Sequence, residues 1–219
     1  MSAQSTKLTA GQTAPSRAAT LALVGNALCL DFTNTAGGRG TERYIEHLKD
    51  WRNLLAWAEH ARVIDAEHRR AFEPRSRGAG EELLRSALEL REALYSVFRA
   101  AIAAAETPAL ALGVLNRVLS EAMAAAEVHP RDHGFAWDWP MDDPRPLQIL
   151  WPIARSAAEL LTIPDLRRVK FCPAWDCGWL FLDRTRNFRR RWCEMEACGS
   201  RDKMRRYHQR QRAAATDLG

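Results

Sequence analysis

Four cysteines near the C-terminus constrain the fold of this chain more than any other feature. Cys172 and Cys177 form one Cys-x4-Cys pair, Cys193 and Cys198 form a second, and fifteen residues separate the two pairs. This spacing is typical of a zinc site in which four thiolates surround one Zn²⁺ in a tetrahedron. Such a closed site has no free coordination position for a substrate or a water molecule. The metal is therefore expected to stabilise the fold, not to take part in a reaction.

Two disulfide bonds are the alternative use of these cysteines. Four of the five cysteines lie within 27 positions, and no secretion signal is recognisable upstream, which favours the metal. The fifth, Cys29, lies alone in an apolar stretch from Leu21 to Leu30. It is predicted to be a small buried hydrophobic residue without a functional role.

The residues around the cysteine pairs predict a hairpin and then a helix. Residues 179–182 form a short apolar run typical of a strand, residues 183–187 have turn composition, and residues 188–192 are predicted to return as the second strand. After Cys198, a stretch without proline is expected to form a basic helix up to about Arg212, with Ser200 as its N-cap.

Positive charge is concentrated in the same segment. Residues 167–212 contain 14 basic and 5 acidic side chains, whereas the rest of the chain contains 18 and 22. Zn²⁺ with four thiolates subtracts only two charges, so the segment remains strongly positive. This asymmetry predicts a polyanionic partner. Twelve of the 14 basic residues are arginine, which favours bidentate recognition of phosphate and of guanine edges.

We expect DNA to be the partner and the hairpin and helix to contact it. Arg189, Arg190, Arg191 and Arg206 are assigned to phosphates, and Arg201, Lys203 and Arg205 to base edges. The full set of candidate DNA-binding residues is Arg184, Arg186, Arg189, Arg190, Arg191, Arg201, Lys203, Arg205, Arg206 and Arg210. A solvated basic surface without a partner is one alternative. A zinc-stabilised module that binds RNA or another protein is the other.

The sequence before the finger predicts a mainly α domain with minor strand content. Residues 1–18, rich in Ser, Thr, Ala, Gln and Gly, are expected to be disordered. Helices are predicted over 50–71, with Asp50 as N-cap, and over 81–105, 107–126 and 146–161, with an exposed strand over 133–139. No apolar run is long enough to cross a bilayer, so we expect a cytoplasmic protein without a membrane partner.

Catalytic patterns are not recognisable in the sequence. Six histidines are scattered, and neither a Gly-rich phosphate loop nor a nucleophile elbow occurs, so the chain is not expected to be an enzyme. Asp31 and Asn34 interrupt an apolar segment and are the candidates for lining a ligand pocket. The alternative is that their side chains cap or turn the backbone.

With these residues in view, the C-terminal segment resembles the CGNR zinc-finger family of bacterial proteins. The family pattern is a cysteine pair, a hairpin and a Cys-Gly-Asn-Arg stretch that opens a basic helix; here the stretch is Cys198-Gly199-Ser200-Arg201, with Ser200 in place of Asn. Residues 30–35, Leu-Asp-Phe-Thr-Asn-Thr, followed by helices, resemble the ABATE domain that accompanies this finger in stress-induced transcription regulators.

The resemblance implies a DNA-binding regulator with one structural Zn²⁺. It divides the chain into an ABATE-like helical domain over 19–164, a CGNR-type finger over 165–212 and a tail over 213–219. The helical domain is expected to sense a ligand or to mediate association. A homodimer and a small-molecule effector both remain open at this stage.

Overall fold

The computed structural model describes residues 17–140 and 145–216. The predicted disorder of residues 1–18 falls mostly outside this range. The described part contains six α-helices, which are α1 (Leu28–Thr33), α2 (Trp51–His60), α3 (Arg77–Ile102), α4 (Ala109–Ala124), α5 (Trp151–Leu161) and α6 (Ser200–Thr216). The chain is therefore mainly α, as predicted. No helix in the described ranges is both long and apolar enough to span a membrane.

Three two-stranded antiparallel ribbons complete the described fold. β1 (Ala36–Gly37) pairs with β2 (Ile45–Glu46), β3 (Glu127–Arg131) with β4 (Gly134–Asp138), and β5 (Val169–Phe171) with β6 (Leu180–Leu182). In the second ribbon, the register places Val128 opposite Trp137 and Pro130 opposite Phe135, so these apolar residues share one face. Phe135 is 77% exposed on this face.

α2 begins where the sequence predicts but ends early, and α3 begins earlier than predicted. The Asp50 carboxylate accepts a hydrogen bond from the Asn53 backbone N–H at 2.8 Å, which confirms the predicted N-cap of α2. The helix ends at His60, well before residue 71, because the following residues form turns and a short 3-10 segment. α3 begins earlier than predicted because the Ser76 hydroxyl caps it through the Ala79 N–H.

The core lies between α1 and the longer helices. α3 packs against α1, α2 and α4, and α5 packs against α1 and α4. α1 was not predicted as a helix; it is almost wholly buried, and its Phe32 ring contacts the Trp57 ring at 5.2 Å between centroids. Cys29 in α1 is fully buried, and burial raises the pKa of its thiol to about 12. The thiol therefore stays protonated, consistent with a core role.

The finger shares this core. Val169 of β5 and Leu180 of β6 are buried in the same hydrophobic cluster as the helices. Tyr95 of α3 contacts the ring of Phe171 edge-on, with 5.9 Å between centroids. The ribbon that carries the first cysteine pair is thus fixed to the helical part by apolar contacts.

Candidate metal centre and its basic surface

The four predicted zinc ligands meet at one point. The sulfurs of Cys172, Cys177, Cys193 and Cys198 all lie within 4.8 Å of one another, and none of the four is in a disulfide. The Cys177 and Cys193 sulfurs are 3.6 Å apart, and those of Cys193 and Cys198 are 3.5 Å apart. A tetrahedral ion with Zn–S bonds of 2.3 Å requires sulfurs about 3.8 Å apart. The buried thiols therefore fit one structural Zn²⁺ and leave no position for a substrate.

Two tight turns bring the cysteines together. In the first, the Cys172 N–H donates to the Trp179 carbonyl at 2.8 Å, and the Cys177 N–H donates to the Ala174 carbonyl at 3.0 Å. Gly178 has a φ of +69°, a left-handed conformation that glycine adopts without strain. In the second turn, the N–H groups of Cys198 and Gly199 both donate to the Glu194 carbonyl.

The second turn runs directly into α6, and this changes the predicted role of Ser200. Met195–Gly199 form a wide helical turn, so Ser200 already has helical backbone angles and is not an N-cap. Its hydroxyl instead donates to the Met195 carbonyl at 3.3 Å. A Cβ on Gly199 would lie 2.5 Å from the Met195 sulfur, so any other residue here requires the Met195 side chain to move. The helix also extends further than predicted, to Thr216.

The predicted second strand, over 188–192, is not formed. β6 pairs instead with β5, which precedes the first cysteine. The backbone N–H of Arg190 donates to the Asp183 carboxylate at 3.1 Å, and Phe188 has a φ of +54°, so this segment cannot form a regular ladder.

Asp183 is the polar centre of this irregular segment. It is fully buried and accepts hydrogen bonds from the Lys170 ammonium at 2.6 Å and from the Thr185 hydroxyl at 2.6 Å. Burial alone would raise the pKa of this carboxyl, but the bonds from Lys170 and Thr185 lower it to about 2. Asp183 is therefore ionised and organises the loop around itself.

Arg190 serves the finger's own structure, not its surface. Its guanidinium donates to the backbone carbonyls of Val24, at 2.6 Å, and of Cys193. It also lies over the Phe181 ring, 4.5 Å from the centroid. The assignment of Arg190 to DNA phosphate is therefore corrected: its donors are used to join residues 24 and 193.

Arg201 and Arg184 are also anchored to the protein. Arg201 donates to the Cys198 sulfur at 3.1 Å and lies 3.4 Å from the buried carboxylate of Asp176. Asp176 also faces Arg43, at 3.5 Å, so it connects α6 to the loop after β1. Arg184 donates to the Asn26 carbonyl at 2.6 Å.

The two candidate pocket residues likewise bind backbone. The Asn34 side chain exchanges two hydrogen bonds of 2.9 Å with the N–H and carbonyl of Leu180, as a neighbouring strand would. Asp31 accepts from the Gly25 N–H at 2.7 Å. Burial raises the pKa of Asp31 to about 6, against the lowering effects of the Gly25 bond and of Arg190. The structure thus gives both residues the role of joining segments, not of facing a ligand.

The other predicted cations remain on the surface. Arg205 and Arg206 pair with Asp202, one turn before them on α6. The side chains of Arg186, Arg189, Lys203 and Arg210 are exposed and form no ion pair within the described ranges. A groove of about 660 Å³ runs between α6 and residues 191–192. Its lining residues are Arg191, Trp192, Lys203, Arg206, Gln209 and Arg210, none of them acidic.

The sequence did not reveal several polar residues of the finger. Asp176 and Asp183 look like ordinary surface or turn residues, although each directly precedes or follows a structured motif. The partner Arg43 is more than a hundred positions away from Asp176, so no local pattern links the two. Only the buried position of the two carboxylates explains their importance.

Two models of known protein families match different parts of this chain. Residues 26–164 match the family model ABATE, described as "Putative stress-induced transcription regulator". Residues 168–211 match the model of the CGNR zinc finger. No curated protein sequence matches the chain. The first model alone covers well over half of the chain, and the second contains all four zinc ligands.

Proposed function

Because this chain belongs to the ABATE family and carries a CGNR zinc finger, we propose that it regulates transcription by binding duplex DNA. The zinc holds the two turns of the finger together and fixes the start of α6. α6 and the adjoining groove provide the DNA-binding surface. The helical ABATE part senses a ligand or mediates association, and neither part has a catalytic role.

The observation that supports this proposal most directly is the groove beside α6. It brings together four basic side chains from two segments, and its lining contains no carboxylate. α6 is 17 residues long, which corresponds to about 25 Å, and a helix of this kind fits the major groove of B-DNA. The zinc site holds its first turn in a fixed orientation.

The side-chain contacts described above lead us to revise the proposed DNA contacts. We assign Arg191, Arg206 and Arg210 in the groove, with Arg189 and Arg186 on the adjoining loop, to phosphates. Lys203 and Arg205 lie in the first half of α6 and are assigned to base edges, since the N-terminal part of a recognition helix commonly enters the groove. Arg184, Arg190 and Arg201 position the finger instead.

RNA binding is the second candidate, and one residue favours it. Trp192 lines the groove, and Arg191 lies over its ring at 5.1 Å from the centroid. An aromatic ring between cations can stack on an unpaired base. Duplex DNA offers no such base without distortion, so competition between the two nucleic acids distinguishes the candidates.

The test is binding of zinc-loaded protein to genomic DNA fragments over a salt series, with RNA as competitor. We expect fragment-selective binding that weakens steeply with salt, and its loss in a Cys193→Ser variant whose zinc content has fallen. Stronger competition by single-stranded RNA than by duplex DNA would favour the second candidate. No binding of either polymer by fully metallated protein would reject both.

A further inference from the structure

A second cleft lies beside the 188–191 segment. Its volume is about 750 Å³. Its lining comes from the end of α3, at Ala101 and Ile102, from the loop Phe188–Arg191, and from β5 and the chain before it. No residue of α6 lines it. The cleft therefore lies between the ABATE part and the finger and shares Arg191 with the proposed DNA-binding groove.

The cleft combines apolar surface with excess positive charge. Its apolar lining includes Ile102, Leu166, Phe171 and Phe188. Five basic residues line it, against one acidic residue, Asp165. The basic residues are Arg167, Lys170, Arg189, Arg190 and Arg191.

Protein carboxylates compensate only part of this charge. Asp165 binds Arg167 at 2.8 Å, and Asp183 binds Lys170 at 2.6 Å. Arg190 is hydrogen-bonded to backbone carbonyls, which carry no net charge. Arg189 and Arg191 have no carboxylate partner among the described residues. The lining therefore keeps about three positive charges after these pairs.

Phe188 is held in the cleft against its backbone preference. Its φ of +54° is uncommon for a bulky residue and is strained. The Lys170 ammonium donates to its carbonyl at 2.7 Å, and the Arg168 guanidinium lies 4.0 Å from the ring centroid. The surrounding residues thus fix an aromatic ring, 38% exposed, beside the free arginines.

From this arrangement we infer that the cleft binds a small organic anion, in which a carboxylate, sulfonate or phosphate group is attached to an apolar ring. The ring packs on Phe188 and Ile102, and the anionic group pairs with Arg189 and Arg191, which have no carboxylate partner in the described part of the chain. The volume suits such a ligand. Arg189 and Arg191 are also proposed phosphate contacts, so the bound anion competes with DNA for them. This regulatory consequence rests on the proposed DNA-binding function, whereas the binding of the anion does not.

The probe is 8-anilinonaphthalene-1-sulfonate, which joins a sulfonate to aromatic rings and fluoresces when bound. We expect saturable binding that naphthalene-2-carboxylate displaces and inorganic sulfate does not. Arg167→Glu reverses a charge at the cleft, and Ala101→Trp fills it without changing charge; each should weaken binding about tenfold. Arg85→Glu, an equal charge change elsewhere on α3, is the control and should bind as the wild type does.

Unchanged dye binding in both cleft variants would overturn the inference, as would equal displacement by sulfate. Loss of DNA affinity in Arg167→Glu with unchanged dye binding would assign the cleft to nucleic acid and also overturn it. The regulatory step is tested by DNA affinity with and without naphthalene-2-carboxylate. If wild-type protein binds no DNA at all, the proposed function fails, but the dye measurements still decide whether the cleft binds an anion.

Discussion

The helical part and the finger are stabilised in different ways. The main hydrophobic cluster is built from all the longer helices before the finger and includes only Val169 and Leu180 from the finger. The finger's own cluster has six buried residues, and four of them are the zinc ligands. Apolar burial can fold the helical part. The finger, in contrast, depends on its metal and on contacts with the helical part.

The arginines of the finger also fall into two groups. Arg184, Arg190 and Arg201 donate to carbonyls and a sulfur of the protein, and Arg201 also pairs with a buried carboxylate. Of the groove cations, Arg206 pairs with Asp202, and the other three form no ion pair among the described residues. Neighbouring arginines therefore have different roles: some stabilise the finger, and others are available to a nucleic acid. Variants of single residues test this difference, from the largest expected effect to the smallest.

Removal of zinc should separate the two regions most strongly. A structural zinc contributes about 10 kcal/mol or more to folding of a small finger. Cys193→Ser should therefore unfold residues 172–211 while the α1–α5 core remains folded, as measured by residue-resolved amide NMR. Cys29→Ala is the matched control and should keep one bound zinc. Loss of all dispersed signals in Cys193→Ser would show that the helical part does not fold without the finger.

Arg190→Ala should destabilise the finger by about 3 kcal/mol, because carbonyls of Val24 and Cys193 lose a charged donor. Its neighbour Arg189 has no carboxylate or carbonyl partner among the described side-chain contacts, so Arg189→Ala is the control and should cost nothing measurable. Chemical unfolding followed by the amide NMR signals of residues 168–211 compares them. Equal stability of the two variants would contradict the anchored role of Arg190.

Asp31→Asn should change the pH dependence of stability. The pKa of Asp31 is about 6 in the folded protein, against an ordinary value of 3.8, so the folded state binds the proton more tightly. The protonated Asp31 carboxyl makes its full contribution to the free energy of unfolding below about pH 4, and this contribution is lost as pH rises through 6. From pH 4 to pH 7 the variant should gain about 2–3 kcal/mol relative to the wild type. Zinc affects both proteins alike, and parallel curves would show that Asp31 has an ordinary pKa.

Asn34→Ala should weaken the attachment of β6 to α1 by about 2 kcal/mol, since two buried backbone groups of Leu180 lose their partners. Asn53→Ala removes only a hydrogen bond to the Lys49 N–H near the surface and is the control. Thermal unfolding of the two variants provides the comparison. Equal melting temperatures would indicate that water replaces the Asn34 bonds at no cost.

The sequence predicted the zinc ligands, the mainly α fold and the N-cap of α2, because each rests on a local pattern. It missed the pairing of β5 with β6. Residues 188–192, the predicted partner of β6, and β5, its actual partner, are both short segments close to β6 in the sequence, so the pattern did not distinguish them. The sequence also could not distinguish the arginines that bind the protein's own backbone from those that are available to a partner. Whether Arg190 faces DNA or the Val24 carbonyl depends on a contact 166 positions apart, which no local pattern records.

The central claim is that the exposed cations of α6 bind nucleic acid, and the salt dependence of binding tests it most directly. We would compare wild-type protein with Arg210→Ala, a proposed phosphate contact in the groove, and with Arg117→Ala, an exposed arginine of the helical part. The slope of log affinity against log salt should fall by about one for Arg210→Ala, because one phosphate contact is lost, and should stay unchanged for Arg117→Ala. Equal slopes and affinities for all three proteins would contradict the claim.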